Sequence, residues 1–240
     1  MSQFQASGGD KYSAPELLER VSDDMPNYQK WIAEKFASVF VNLSATSVMD
    51  FGAGTGILAK YFKSITNISP VLLEIDEGLR ASCENRGFKT SAGLNDVKEE
   101  FDFIYSSNVL EHIEDDLGVL VNLREKLNKN GALVMFLPAF PILWSPMDVK
   151  VGHFRRYTVK NMEMLLNEAG FSVSKIEYCD SVGFFVSLLY KFMPAADGEP
   201  SAASLKFYDS WLFPISKVCD TIFKRILGKN IFFIAVKDAR

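Results

Sequence analysis

A glycine-rich loop is the first part of this sequence that could do chemistry. The segment Asp50 to Gly56 reads DFGAGTG, follows a short apolar run and precedes residues at helical spacing. Glycines between a strand and a helix let a ligand approach the backbone, and the free N–H groups of the helix start point towards it. Dinucleotide enzymes use the spacing G-x-G-x-x-G. Here the spacing is G-x-G-x-G, with Ile57 in the position of their last glycine, which disfavours an NAD-dependent oxidoreductase.

An acid follows the loop at the distance that ribose recognition requires. Nucleotide sites on parallel sheets place an acid at the end of the second strand, about 20 residues on, to accept hydrogen bonds from ribose hydroxyls. Glu74 in the run 71–76 (VLLEID) has this position, and Asp76 is the competing acid beyond the apolar run. The alternative is a surface acid that opens the next helix. We predict that Glu74 binds the ribose.

A second chemistry-bearing segment, residues 148–158, reads DVKVGHFRRYT. Imidazole is the side chain best suited to accept a proton near neutral pH, so His153 is a candidate base. Arg155 and Arg156 could hold a carboxylate, phosphate or sulfate, and Tyr157 completes a predicted substrate-binding set. In the alternative interpretation, one arginine pairs with Asp148 and the loop simply folds.

The other histidine of the chain, His112, lies in the run LEHI at 110–113. It follows a predicted strand, and ligands of parallel sheets lie outside the carboxyl ends of the strands. His112 is therefore the alternative base, although a structural histidine that shapes the loop fits as well. The sequence shows no metal-ligand cluster, and no metal is predicted.

Composition bounds the class of protein. The 240 residues carry a net charge of −4, which gives no indication of nucleic-acid binding. Residues 149–240 alone carry 13 Lys and Arg against 9 Asp and Glu, so this part can attract an anionic substrate or an acidic membrane surface. Three scattered cysteines, a polar N-terminus unlike a signal peptide, and no apolar run of about 20 residues predict a cytoplasmic protein. Peripheral contact with a membrane stays open.

The elements that position these residues alternate along the chain. Helices are predicted at 28–40, 77–86, 116–127 and 159–169, with Thr158 as an N-cap. Apolar runs predict strands at 47–51, 70–75, 101–105, 132–137, 171–178 and 231–236. Strands that alternate with helices predict an α/β fold with a parallel sheet covered on both faces.

The whole chain, 1–240, is predicted to form one domain. Its parts are an N-terminal helical cap (1–45), a core (46–178), a helical insertion (179–230) and the last strand (231–240). A helix from Pro214 to Gly228 carries an apolar stripe, which we predict packs on the core or on a partner chain. Binding to a membrane surface is the alternative. Residues 195–204 are predicted to be a flexible connector.

Taken together, these motifs resemble those of the class I methyltransferases that use S-adenosylmethionine (SAM). The loop resembles their first motif, Glu74 their ribose-binding acid, and 94–96 (LND) their adenine segment. The resemblance runs in order from about Val48 to Tyr178 and includes the last strand. It implies a Rossmann-like sheet of seven strands, mainly parallel with an antiparallel last strand, and S-adenosylhomocysteine (SAH) as product. The implied cofactor-binding residues are Asp50, Gly52, Ala53, Gly54, Gly56, Glu74, Ile75, Asn95, Asp96, Ser107 and Asn108.

The acceptor is suggested only by a shorter resemblance. The stretch Gly152 to Tyr157 is similar to one in bacterial methyltransferases linked to cell-surface glycan or lipid modification, and distantly to the substrate loop of quinone-pathway O-methyltransferases. We therefore predict O-methylation of an anionic small-molecule, glycan or lipid-linked acceptor. N- or C-methylation and a non-enzymatic SAM-binding or scaffold role remain alternatives. The acceptor and the oligomeric state are not specified by the sequence.

Overall fold

The computed structural model describes residues 23–192 and 201–238. Its strands are β1 (Val48–Phe51), β2 (Val71–Leu73), β3 (Lys89–Ser91), β4 (Phe101–Ser107), β5 (Leu127–Pro138), β6 (Ser172–Cys179) and β7 (Asn230–Val236). Its helices are α1 (Pro26–Asn42), α2 (Ile57–Thr66), α3 (Glu77–Asn85), α4 (Asp116–Glu125), α5 (Pro146–Lys150), α6 (Val159–Glu168), α7 (Ser181–Phe192), α8 (Ala202–Phe207) and α9 (Phe213–Phe223). The predicted N-terminal cap is thus described only from residue 23, and the predicted connector only at 201–204, of which 202–204 belong to α8.

All seven strands form one sheet in the order β3-β2-β1-β4-β5-β7-β6. Strand β7 runs antiparallel to both neighbours, β5 and β6, and the other neighbouring pairs are parallel. The predicted mainly parallel sheet with an antiparallel last strand is confirmed. Apolar runs predicted six of the strands. Strand β3 was not predicted, because its three residues are Lys, Thr and Ser on an exposed edge.

Helices cover both faces, so the central strands are apolar on each side. Met49 and Ile104 face one side and pack with Leu123 of α4 and Leu166 of α6. Their strand neighbours, among them Phe103 of β4, face the other side. They pack with Phe36 and Phe40 of α1, Phe62 of α2 and Phe213 of α9. This layering fixes the sheet rigidly, and the loops at the carboxyl ends of its strands can then be held in place.

Helix α1 is predicted within one turn of its observed bounds, and Pro26 stands at its start. Its first N–H groups are bound by an acid far along the chain. The buried carboxylate of Asp209 accepts from Asn27 N at 3.1 Å, Asn27 Nδ2 at 2.9 Å and Tyr28 N at 2.8 Å. The C-terminal insertion therefore anchors the N-terminal helix.

The apolar stripe of α9, predicted to pack on the core or on a partner chain, does not pack on the core, and contact with a partner chain stays a prediction. Ile215, Val218 and Ile222 are between 54% and 72% exposed, whereas Phe213 and Ser216 of the same helix are buried. The polar anchor explains the rotation, because Ser216 Oγ donates at 2.8 Å to Asp180, which is fully buried. A hydrogen bond to a charged group contributes about 1.5–3 kcal/mol, which is comparable to the burial of one aliphatic side chain. Apolar surface is left on the outside.

Candidate active site

The glycine loop connects β1 to α2 and adopts a conformation that glycine alone favours. Gly52, Gly54 and Gly56 have φ of +78°, +55° and +74°. A Cβ atom on Gly52 would lie 2.4 Å from Val109 Cγ2. The N–H groups of Gly52 and Ala53 donate to Leu73 O at 2.8 and 3.0 Å, which ties the loop to β2. The loop backbone therefore carries few side chains that would obstruct a ligand, and its hydrogen bonds to β2 hold it in place.

Glu74 lies directly after β2 and is buried beside this loop. Its Oε2 accepts from Gly54 N at 2.7 Å, and its Oε1 accepts from Asp76 N at 2.9 Å. Asp76, the other candidate for the ribose-binding acid, is instead the N-cap of α3, where its side chain accepts a hydrogen bond from Leu79 N at 2.9 Å. The structure thus places Glu74 at the loop and gives Asp76 the helix-opening role.

Asp50 is a buried acid at the end of β1. Its Oδ2 has no hydrogen-bond partner among the described residues, and it is 2% exposed. Burial raises the pKa of Asp50 to about 8, opposed by the hydroxyl of the neighbouring Tyr105 and reinforced by the negative charge of Glu74. A buried carboxyl with spare acceptor capacity beside a bare loop suits a ligand that carries positive charge.

The remaining predicted cofactor residues lie at or just beyond the ends of strands β2, β3 and β4. Asn108, with φ of +53°, donates through its backbone N–H to Phe136 O at 2.8 Å and through Nδ2 to Ser107 Oγ at 3.1 Å. Asn95 and Asp96 form an exposed turn, and Ile75 is 62% exposed next to Glu74. Because parallel strands end at one edge of a sheet, these loops share that edge.

A second cluster follows β5 and has Asp148 at its centre. Asp148 is 1% exposed, and its Oδ1 lies 2.7 Å from His153 Nδ1. Arg156 donates from Nε to Oδ1 at 2.8 Å and from a terminal nitrogen to Oδ2 at 3.1 Å. Burial opposes ionisation, but the hydrogen bonds from His153 and Arg156 outweigh it and hold the pKa of Asp148 well below its usual value. Arg156 therefore forms the ion pair with Asp148 that the sequence analysis gave as the alternative.

His112 joins this cluster from the loop after β4. Its ring lies 4.6 Å from that of His153, edge to face at 78°. Burial and the neighbouring His153 lower the pKa of His112 to about 4, against the opposing effect of hydrogen bonds to the backbone of Val151 and Gly152. The two predicted base candidates, 41 residues apart in sequence, thus lie side by side.

Glu111 is the member of the cluster that sequence reasoning missed. It is fully buried, neither carboxylate oxygen has a hydrogen-bond partner among the described residues, and burial raises its pKa to about 8. Its Oε1 lies 3.7 Å from His153 Nε2. Ligand atoms of Glu111, His112 and His153 all lie within 4.8 Å of one another, a proximity that the sequence analysis did not predict. Nothing in the local sequence relates position 111 to position 153.

Arg155 and Tyr157 meet a different acid. Arg155 lies 2.6 Å from Asp116 Oδ2 and donates to Glu114 O at 2.7 Å. The hydroxyl of the buried Tyr157 donates to the same Asp116 oxygen at 3.1 Å. These bonds fasten the segment 153–157 to the start of α4. Of the two arginine side chains, that of Arg155 is the more exposed, at 30% against 10%.

Comparison with known proteins agrees with this geometry. A family model described as a methyltransferase domain matches residues 14–176. No curated protein matches the chain in sequence. Among solved structures, the plantazolicin methyltransferase BpumL with SAH shares 10% identity, covers 95% of this chain and 91% of its own, and has a TM-score of 0.63. A SAM-dependent methyltransferase from Archaeoglobus fulgidus shares 17% identity over 87% of this chain and 94% of its own, with a TM-score of 0.56. A Haloferax volcanii protein solved with the Trm112 methyltransferase activator shares 14%, covering 98% and 99%, with a TM-score of 0.63.

The loop and its two acids fit the cofactor of that family. A sulfonium nucleoside needs a bare backbone, an acceptor for ribose hydroxyls and a negative environment for its cationic groups. The left-handed loop, Glu74 and the unpartnered Oδ2 of Asp50 supply these features. With the family model covering more than half of the chain, the protein belongs to the methyltransferase domain family and is a SAM-dependent class I methyltransferase.

Proposed function

We propose that this enzyme methylates a hydroxyl group of an anionic small-molecule, glycan or lipid-linked acceptor, with His153 as the base. The observation that supports the proposal most directly is the 2.7 Å contact between Asp148 and His153 Nδ1. A carboxylate on Nδ1 fixes the imidazole tautomer so that Nε2 is left to accept a proton. Removal of a proton is the step that an alcohol nucleophile requires and that other acceptors need less.

The cofactor residues follow from the first cluster. We propose that the Gly52–Gly56 loop, with Asp50, would hold the methionine part of SAM, that Glu74 would bind the ribose, and that Asp96 would contact the adenine. Ile75, Asn95, Ser107 and Asn108 would complete the walls of that site. Bound SAM supplies a methyl group on sulfur, and the protein's contribution is alignment of the acceptor for displacement. In our proposal, the chain then accepts the acceptor's proton at His153 Nε2, and His112 is the alternative base.

Of the two predicted substrate-binding arginines, we propose that only Arg155 binds the anionic group of the acceptor. Arg156 donates two hydrogen bonds to Asp148 and is 10% exposed, so its guanidinium is committed to holding the loop. We propose that Arg155, which is more exposed, exchanges Asp116 for the acceptor's carboxylate, phosphate or sulfate. Tyr157 would then act indirectly, by holding Asp116 in place.

The test is methyl transfer from labelled SAM to pools of small metabolites, glycans and lipids. We expect incorporation into an anionic hydroxyl compound, a loss of about 10²–10⁴-fold in turnover for His153→Gln, and little change for Met164→Ala, an exposed residue of α6. Product that is methylated on nitrogen or carbon would support the alternative chemistry. Full turnover in His153→Gln would refute the role of His153 as the base. SAM binding without methyl incorporation in any pool would support a scaffold role.

We also propose that the C-terminal insertion contacts a membrane, where a lipid-linked acceptor resides. On α9, Ile215, Val218 and Ile222 are spaced three and four residues apart and are all exposed, and Trp211 and Ile226 extend the exposed apolar row at either end. No helix among the described residues is long and apolar enough to cross a membrane.

Basic residues border this surface and give it a preferred lipid. Lys217 and Arg225 are exposed beside the apolar row, and residues 149–240 have an excess of four positive charges. An apolar face with basic flanks suits a bilayer with anionic headgroups. We expect co-sedimentation with vesicles that contain phosphatidylglycerol, a strong loss for Ile222→Glu, and none for Met164→Glu, an exposed apolar residue elsewhere. Equal binding of both variants to the vesicles would contradict the proposal that the exposed face of α9 contacts the membrane.

A further inference from the structure

The histidine and glutamate side chains of the second cluster have the composition of a metal centre. One ligand atom from each of Glu111, His112 and His153 lies within 4.8 Å of the other two. The chain has only two histidines, and both are here. Two imidazoles and one carboxylate are the ligand set of catalytic zinc sites, which leave a further position open.

The burial of Glu111 is an independent observation that points to a cation at this cluster. Its carboxylate is fully buried, and neither oxygen has a hydrogen-bond partner among residues 23–192 and 201–238. Buried carboxylates in proteins are paired, hydrogen-bonded or bound to a metal. The ring of His153 lies close by, but its Nε2 is 3.7 Å from Glu111 Oε1, beyond hydrogen-bond distance.

His153 is oriented as metal-ligating histidines are. Its Nδ1 lies 2.7 Å from Asp148, so that Nδ1–H can donate to the carboxylate and the Nε2 lone pair then faces Glu111 Oε1. Two acceptors that face each other repel unless a proton or a metal cation lies between them. In tetrahedral geometry, an ion about 2.0–2.2 Å from each ligand atom holds those atoms roughly 3.3–3.6 Å apart, so the observed 3.7 Å requires only a small approach of the two side chains.

We propose that Glu111, His112 and His153 bind one divalent transition-metal ion, with Asp148 as the carboxylate that orients His153. Imidazole nitrogen with carboxylate oxygen favours Zn²⁺ or a neighbouring first-row ion over Mg²⁺ or Ca²⁺, which prefer oxygen alone. Arg156 binds both oxygens of Asp148 and so keeps that carboxylate in place.

The proposed ion would act in the same site as the proposed function. The inference rests on that function only in naming the acceptor hydroxyl as the ligand at the open coordination position. Bound at the open position, the acceptor hydroxyl would lose its proton more readily because the ion stabilises the alkoxide. His153 Nε2 would then serve as a ligand, and the proton would leave to solvent instead of to the imidazole. Metal-loaded and metal-free enzyme thus activate the acceptor in different ways.

The experiment is a titration of the full chain, without an affinity tag, with ZnCl₂. Because both histidines belong to the cluster, the ¹⁵N spectrum of histidine-labelled protein reports on it alone. We expect one ion per chain by equilibrium dialysis and shifts of both imidazoles. Affinity should fall at least about tenfold in Glu111→Gln and about 10–100-fold in Asp148→Asn. Cys219→Ser, a partly exposed thiol on α9, is the control for binding by cysteine and should bind normally.

Each outcome has one meaning. Binding of SAH by the variants shows that they are folded. Imidazole signals that do not move with Zn²⁺, or Glu111→Gln protein that binds the ion as tightly as the wild type, overturn the metal site. If His153→Gln still abolishes turnover in that case, the base proposal stands without the metal. If Zn²⁺ binds as expected but turnover does not depend on His153, the metal site stands and the base proposal fails.

Discussion

Substitution of Gly52 by alanine tests whether the loop conformation is what this site depends on. Two costs can be worked out from the structure. The first is φ of +78°, where an L-residue with a Cβ loses about 1–2 kcal/mol. The second is the contact of the new Cβ with Val109, whose Cγ2 would be 2.4 Å away. Overpacking of this kind costs about 1–3 kcal/mol. We expect Gly52→Ala to lower the free energy of unfolding by about 2–5 kcal/mol.

The chain offers a matched control in Gly87. Its φ is +80°, nearly that of Gly52, but a Cβ there would meet no atom within 4 Å. Gly87→Ala therefore carries the conformational cost without the clash, and we expect a loss of about 1–2 kcal/mol. The difference between the two variants isolates the contact with Val109. In Gly52→Ala/Val109→Ala, we expect a loss smaller than the sum of the single losses by about 1–3 kcal/mol.

The assays are urea denaturation and calorimetric titration with SAH. A loop that moves to relieve the clash must return to its bound shape, so SAH affinity should fall about tenfold for each 1.4 kcal/mol of that clash. Gly87→Ala should bind SAH normally, since it lies outside the loop. Equal losses of stability in Gly52→Ala and Gly87→Ala, or no rescue by Val109→Ala, would refute the reasoning about the clash. Unchanged SAH affinity in Gly52→Ala would refute the role of the loop.

Three further predictions concern acids that hold the structure together. Asp148→Ala leaves the guanidinium of Arg156 buried without its partner and should cost about 3–5 kcal/mol in urea denaturation; a loss below about 1 kcal/mol would contradict the buried pair. Asp209→Ala removes an acceptor for three N–H groups at the start of α1 and should cost about 2 kcal/mol or more, with faster hydrogen exchange in that helix. Burial opposes ionisation of Asp102, but hydrogen bonds from Thr46 and its neighbours hold its pKa below the usual value. The stability that Asp102 contributes is thus present above about pH 4 and lost as pH falls through the lower folded pKa, so the gap between wild type and Asp102→Asn should shrink there; a constant gap would contradict the shift.

How far the fold could be predicted depended on how each strand is buried. Strands β1, β4 and β5 are covered on both faces, so their sequences are apolar runs that stand out from the helices between them. Strand β3 lies on the edge with polar residues, and only pairing with β2 makes it a strand. Local pattern finds the first kind and not the second.

The side of α9 that faces the core could not be read from its pattern. The apolar stripe predicted burial of Ile215 and Val218, but these residues are exposed. The hydrogen bond from Ser216 to the buried Asp180, which lies 36 residues away, sets the rotation of the helix. Such a partner belongs to another element, and helical periodicity carries no information about it.

The sequence by itself determined the cofactor loop, because its chemistry is local. Glycine spacing sets the backbone conformation within a few residues, and Glu74 follows at the end of the next strand in a fixed topology. The second cluster is a product of the tertiary structure. Parallel strands β4 and β5 end side by side, and this alone brings Glu111 and His112 to Asp148 and His153. Tertiary contacts also assigned Arg156 to Asp148 and left Arg155 more exposed, since only the three-dimensional arrangement specifies which acid each guanidinium reaches.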